Sequence, residues 1–200
     1  MEALLLIDLQ YDFLHGGALA VPDAASIVPA IHDRMDRHEV VIATQDWHPP
    51  GHLSFASSHP GCAPGDWVDL GGVAQILWPD HCVQDTRGSE LIEAVDPRRL
   101  LAVVRKGTNP AVDSYSAFYD NHRRVRTRLE ELLEANGITS LVVCGLATDY
   151  CVRATVLDAL ALGYPVEVVR SACRGVEVNP GDVDLAWGEM AAAGATIVPR

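Results

Sequence analysis

Short apolar runs alternate along this chain with stretches whose apolar residues recur at helical spacing, and that alternation predicts its architecture. Residues 3–8 are a continuous apolar run ending in an acid. Further runs follow at 39–44, 100–105, 141–144, 166–169 and 196–198. Between them, Pro22 and Asp23 open a helix through about His38, with Ile27, Ala30, Ile31 and Met35 on one face. A short helix is predicted at 89–95. A charged one covers about 121–136, with Val125, Leu129, Leu132 and Leu133 as its stripe and Gly137 closing it. Thr148, as N-cap, starts a helix carrying Val152, Val156, Ala159 and Leu160, and Pro180 starts a last one through about Ala193. Near-continuous apolar strands alternating with helices predict a parallel sheet covered on both faces. The expected fold class is α/β: a three-layer α/β/α sandwich with a six-stranded parallel, doubly wound sheet. One domain over 1–200 is expected, interrupted by a long, weakly patterned insertion at about 45–89 that is rich in Pro, Gly, His and Trp. A loop of that length in a compact domain usually carries function.

Charge and composition narrow the functional classes. The formal charge is −12 and no basic run occurs, so neither nucleic acid nor an anionic membrane surface is an expected partner. The apolar start lacks a basic segment before it and is too short to span a bilayer, so it reads as a strand. Five cysteines without framework spacing argue against a disulfide scaffold and for a reducing, cytoplasmic setting.

The chemistry-bearing residues fall at strand ends. Asp8 ends the first run, Asp46 and His48 follow the second, Lys106 follows the third and Cys151 follows the fourth. In a doubly wound sheet those positions share one edge, where sites form. Cys151 lies in the first helical turn, where free backbone N–H groups and the helix dipole favour a thiolate. Asp8, partly desolvated, suits proton transfer, although taken alone such an Asp more often caps the next loop. Lys106 near both would keep the acid ionised and steady a developing oxyanion. Asp46 and His48, two residues apart on an extended segment, can converge on a borderline divalent ion, with His81 arriving from the insertion. His52 could ligate directly, act through water or stack beside the site. Cys82 reads as a packed thiol, as do Cys62, Cys144 and Cys173. His15, His32, His38, His59 and His122 read as surface or loop residues, and Arg123, Arg124, Arg126 and Arg128 as a solvated helix face.

The segments IDLQYDFLHGGALAVP, TQDWHPPGHLSFA, WPDHCVQ, VRKGTNPAVDSYSAFYDN, CGLATDYCVRATVLDAL and CRGVE closely resemble the nicotinamidase (pyrazinamidase) family of isochorismatase-like cysteine hydrolases. The resemblance implies a triad of Asp8, Lys106 and Cys151, and one divalent ion, zinc before iron or manganese, on Asp46, His48 and His81. It implies a cis peptide at Leu146–Ala147 with the Ala147 and Cys151 N–H groups as oxyanion hole, and a ring pocket involving Phe13, Trp67, Tyr115 and Leu146. The implied reaction is hydrolysis of nicotinamide to nicotinate and ammonia in NAD salvage, with pyrazinamide as a further substrate. A related amidase acting on another small amide or carbamoyl compound is the alternative. A catalytically silent interaction domain is disfavoured by the three triad residues occurring together. Whether the chain forms a homo-oligomer is left open.

Overall fold

A computed structural model describes residues 1–199. Its main sheet contains β1 (Glu2–Ile7), β2 (Val41–Asp46), β5 (Ala102–Lys106), β6 (Ser140–Leu146), β7 (Val166–Arg174) and β8 (Thr196–Val198). Their spatial order is β5-β2-β1-β6-β7-β8, and every pairing is parallel. The chain therefore winds outward from β1 in one direction and from β6 in the other. The β1/β6 boundary is the switch point, where connections leave on opposite faces and open a crevice beyond the strand ends.

Side-chain alternation explains why continuous apolar strands suit this arrangement. In β1, Ala3, Leu5 and Ile7 join one core, while Leu4 and Leu6 join the other. The first core is closed by α2 (Leu129–Ala135), α3 (Arg153–Ala161) and α4 (Asp182–Ala192), through Leu129, Leu133, Val156, Trp187 and Met190. The second is closed by α1 (Val28–Arg37), through Ile31 and Met35. Both faces are dry, so the sheet is the middle of three layers, as the pattern predicts.

Four local expectations fail. The charged helix is only α2: Asp120 accepts the Arg124 and Val125 N–H groups, Thr127 N–H bonds to Phe118, and Tyr119 pairs with Arg126. Those bonds fold 121–128 into a turn and irregular chain with a single isolated bridge, so its arginines form no helix face. Residues 89–95 form no helix either; the one-turn helices nearby are at Arg87–Ser89 and Pro97–Arg99. The insertion is more regular than its pattern suggests, holding an antiparallel hairpin of β3 (Trp67–Leu70) and β4 (Val73–Ile76). Thr148 caps nothing: its hydroxyl is buried without a partner. The chain instead enters α3 through a wide turn at Thr148–Val152, in which the Val152 N–H reaches back to the Ala147 carbonyl.

Two glycines carry this geometry. At Gly145 (φ +127) a Cβ would sit 2.2 Å from the Ile7 carbonyl oxygen, so β6 can approach β1 here only without a side chain. At Gly107 (φ +65) it would lie 2.5 Å from the His48 ring. No helix among the described residues is long and apolar enough to cross a membrane.

Candidate active site

The strand ends deliver Asp8, Asp46, Lys106 and Cys151 to one buried cluster. Lys106 is its hub. Its ammonium donates to Asp46 Oδ1 at 2.9 Å, to the Ser114 carbonyl at 2.9 Å and to Cys151 Sγ at 3.3 Å. Those bonds use its three protons, so Asp8 Oδ2, also 2.9 Å away, makes an ion pair without an aligned hydrogen bond. That leaves a carboxylate oxygen with a free lone pair, and the donor atoms of Asp8, Asp46 and Cys151 lie within 4.8 Å of one another.

Asp8 reaches this position by a sharp turn. It adopts φ +47, in the left-handed region that a short polar residue tolerates, and its N–H donates to Thr44 Oγ1 at 3.0 Å. Thr44 returns its hydroxyl proton to Asp8 Oδ1 at 2.6 Å. Gln10, which the sequence reading passed over, clamps the neighbouring acid. Its Oε1 accepts the Asp46 N–H at 2.8 Å, and its Nε2 donates to the Asp46 carbonyl at 2.7 Å. A polar residue two positions past a strand-end acid was the available signal.

Charge balance within the cluster follows from burial opposed by neighbours. Burial would lower the Lys106 ammonium, but Asp46 and Asp8 hold it well above its ordinary value. Burial would raise Asp46, but Lys106 and His48 hold it well below. For Asp8 burial wins over Lys106 and the carboxyl is raised. For Cys151 burial likewise wins, and the thiol sits well above its usual range although Lys106 opposes the rise. Burial thus opposes what the helix start and Lys106 favour, and a thiol whose proton Asp8 must take during attack agrees with that direction.

Asp46, His48 and His81 form a second arrangement alongside. Asp46 Oδ2 lies 3.2 Å from His48 Nε2 and 3.6 Å from His81 Nε2. Each imidazole directs Nδ1 at a backbone carbonyl, His48 at Gly107 (3.0 Å) and His81 at Pro79 (2.8 Å). Carbonyls only accept, so both Nδ1 atoms carry protons, and in the neutral rings both Nε2 atoms present lone pairs; that of His48 is buried and makes no aligned hydrogen bond. Burial would lower the His48 imidazole, but the Asp46 carboxylate lifts it to about 9, so the position calls for a positive charge. A borderline divalent cation fits this donor set.

His52 differs. Its Nδ1 accepts the Ser54 N–H at 3.0 Å, so in the neutral ring the proton is on Nε2, which is buried without a hydrogen-bond partner. The ring lies tilted against that of His48, at 4.5 Å between centroids. Asp113, unforeseen in the sequence, approaches His48 Nε2 at 4.0 Å and groups with His48 and His52. Cys82 is buried and its thiol is pushed well up, in keeping with a packed residue.

A small apolar cavity opens onto Cys151, lined by Phe13, Trp78, Tyr115, Tyr150 and Ala147, with Asp46, His81 and Asp113 also in its wall. Tyr115 Oη accepts from Gln75 Nε2 at 2.9 Å and from Trp78 Nε1 at 3.1 Å. Phe13 and Tyr115 thus stand where expected. Trp67 does not: it lies in the hairpin at 63% exposure, and the tryptophan at the pocket is Trp78. Leu146 is in the core beneath the pocket rather than in its wall. The Leu146–Ala147 peptide is cis.

A parallel switch-point site with a buried Asp, Lys and Cys defines an isochorismatase-like hydrolase, and residues 2–200 match the isochorismatase domain family. The chain is 53% identical to the nicotinamidase of Escherichia coli K12, over 98% of this chain and 93% of that protein. Its fold is similar to the nicotinamidase/pyrazinamidase of Acinetobacter baumanii (TM-score 0.95, 39% identity, 98% and 95% of the two chains). It is also similar to the pyrazinamidase of Pyrococcus horikoshii solved with zinc (TM-score 0.81, 38% identity, 98% of each). The chain belongs to the isochorismatase family and, within it, to the nicotinamidases.

Proposed function

We infer that this protein hydrolyses nicotinamide to nicotinate and ammonia, with Cys151 as nucleophile. The observation that carries the mechanism is the single ammonium, Lys106, held between Asp8 and the Cys151 sulfur at 2.9 and 3.3 Å. Asp8 Oδ2, free of any aligned donor, takes the thiol proton as sulfur attacks the carboxamide carbon. The Lys106 ammonium stabilises the thiolate during attack, and the Ala147 and Cys151 N–H groups meet the developing oxyanion. Protonated Asp8 then gives its proton to departing ammonia, leaving a thioester. A water deprotonated by Asp8 attacks that thioester and releases nicotinate and the thiol.

Asp46, His48 and His81 would hold one divalent ion, for which zinc is the reading favoured by two imidazoles and one carboxylate. When bound, it supplies a Lewis acid for the pyridine nitrogen. The aromatic walls orient the ring: Phe13, Trp78, Tyr115 and Tyr150 offer apolar faces, and Trp78 and Tyr115 each pack edge-on against Tyr150. The cavity measures only about 20 Å³, so those walls part to seat a ring. Lys106 and Asp46 tie the two arrangements together, because Asp46 contacts both the ammonium and the imidazoles.

The testing experiment is ammonia release from nicotinamide, pyrazinamide and a panel of aliphatic amides and carbamoyl compounds, with metal analysis on the same preparation. Turnover is expected on the two ring amides, with about one divalent ion per chain. Preferential hydrolysis of a compound without a ring nitrogen would overturn the substrate assignment.

A further inference from the structure

We propose that the cleft between α1 and the end of β7 binds a phosphate oxyanion, as the free ion or as the phosphate of a small monoester. The chain carries a net charge of −12, yet this cleft gathers Arg34, Arg37 and Arg174 in its wall, with Asp33 as the one acid there. Its volume is about 450 Å³, in the range of small-ligand sites, and none of the triad or metal-binding candidates lines it. The inference does not depend on the reaction proposed above.

The guanidiniums come from two walls. Arg34 and Arg37 are three residues apart on α1, and so on one face; Arg174 is the last residue of β7. Arg34 pairs with Glu167 at 2.9 Å and Arg37 with Asp33 at 2.7 Å. Arg174 has no carboxylate partner among the described residues and bonds through Nη1 to the Cys173 carbonyl at 2.7 Å. With five N–H donors on each guanidinium, these bonds leave most of the donors unused. Three guanidiniums against two carboxylates also leave the cleft with net positive charge. Ser171 stands in the same wall, its hydroxyl buried without a partner. Donors arriving from two walls suit a tetrahedral oxyanion, whereas a planar carboxylate is satisfied by a single arginine fork. The volume exceeds a bare ion, which leaves room for the organic part of an ester.

Val176, two residues past Arg174, lines the catalytic cavity, so binding rather than turnover is the readout. The test is titration calorimetry on the full, metal-loaded chain at constant ionic strength, with inorganic phosphate and glycerol 3-phosphate as probes. Saturable binding of at least one probe is expected, weakened about tenfold or more by Arg174→Met. Arg98→Met, at an exposed arginine paired with Asp96, leaves it unchanged. Arg174→Lys, which keeps the charge and loses the fork, gives an intermediate loss and guards against a folding defect in the Met variant. Binding of the free ion alone, or tighter binding of the ester, assigns the source within the proposal. Absence of saturable heat with both probes overturns it. So does equal weakening by Arg98→Met and Arg174→Met, which would indicate diffuse charge only.

Discussion

Replacing Thr44 with valine removes one hydroxyl and almost no volume, from a position with no solvent exposure. That hydroxyl both donates to Asp8 Oδ1 at 2.6 Å and accepts the Asp8 N–H at 3.0 Å. The variant therefore strands a buried N–H, at a cost of about 1–3 kcal/mol, and deletes a bond to a charged acceptor worth about 1.5–3 kcal/mol. Some relaxation is expected, so a net loss of about 3 kcal/mol is reasonable. For a chain of this size that corresponds to a fall in Tm of about 6–12 °C. Kinetics should move as well. Burial already raises Asp8, and the Thr44 hydrogen bond opposes that rise, so losing the bond raises the carboxyl further. Activity requires ionised Asp8 and is lost as pH falls through its pKa; the acid limb of kcat/KM therefore shifts to higher pH. A raised carboxylate disfavours the folded state most where it must be ionised, so the stability deficit is largest at neutral pH and shrinks as pH falls through the folded-state pKa. Thermal unfolding and a pH–rate profile on nicotinamide measure the two effects. A Tm change under about 2 °C together with an unmoved acid limb would refute the role given to this pair.

Gln10→Ala removes the clamp on both backbone groups of Asp46, so divalent-ion affinity should fall by about 10–100-fold in a competition with a chromophoric chelator; unchanged affinity counts against Gln10 as a positioning residue. Trp78→Ala should raise KM for nicotinamide and Trp67→Ala should leave it unaltered, because only Trp78 meets the cavity; the reverse order would restore the sequence-based choice. Burial pushes the Cys173 thiol up to about 12 and those of Cys82 and Cys144 well above their usual range, while Cys62 is only half-buried. Iodoacetamide on the native protein at neutral pH should therefore label Cys62 and spare those three, as read by peptide mass spectrometry, and rapid labelling of Cys173 would contradict the packing.

The fold was legible because its signals are redundant. Each main strand is an apolar run, and the runs of β1, β2, β5 and β6 each end near a residue with chemistry, so strand order and site edge reinforce one another. Asp8, Asp46, His48, Lys106 and Cys151 could be found on that basis. His81 could be named only as a candidate third ligand arriving from the insertion, since nothing local marks a histidine in an irregular segment as facing a distant strand end. What stayed hidden depends on tertiary neighbours. The 121–136 stretch has a helical stripe, but Asp120 and Thr127 offer its first half better hydrogen bonds elsewhere. Trp67 and Trp78 look alike in sequence; only the hairpin's pairing sends one to solvent and leaves the other against Tyr115. His52 differs from His48 and His81 in which ring nitrogen meets an acceptor and which meets a donor, and no spacing encodes that. At Cys151 the helix start is visible in sequence, whereas the enclosure that pushes its thiol up is not.

The central claim is that the Cys151 sulfur, deprotonated by Asp8 beside Lys106, performs the attack. Ammonia release from nicotinamide by metal-loaded Cys151→Ala tests it most directly, since the substitution removes one atom from a buried site and should leave folding and metal content intact. Release should fall by at least about 10⁴-fold, the scale on which loss of a nucleophile is felt. Appreciable turnover by the folded, metal-loaded variant would contradict the account.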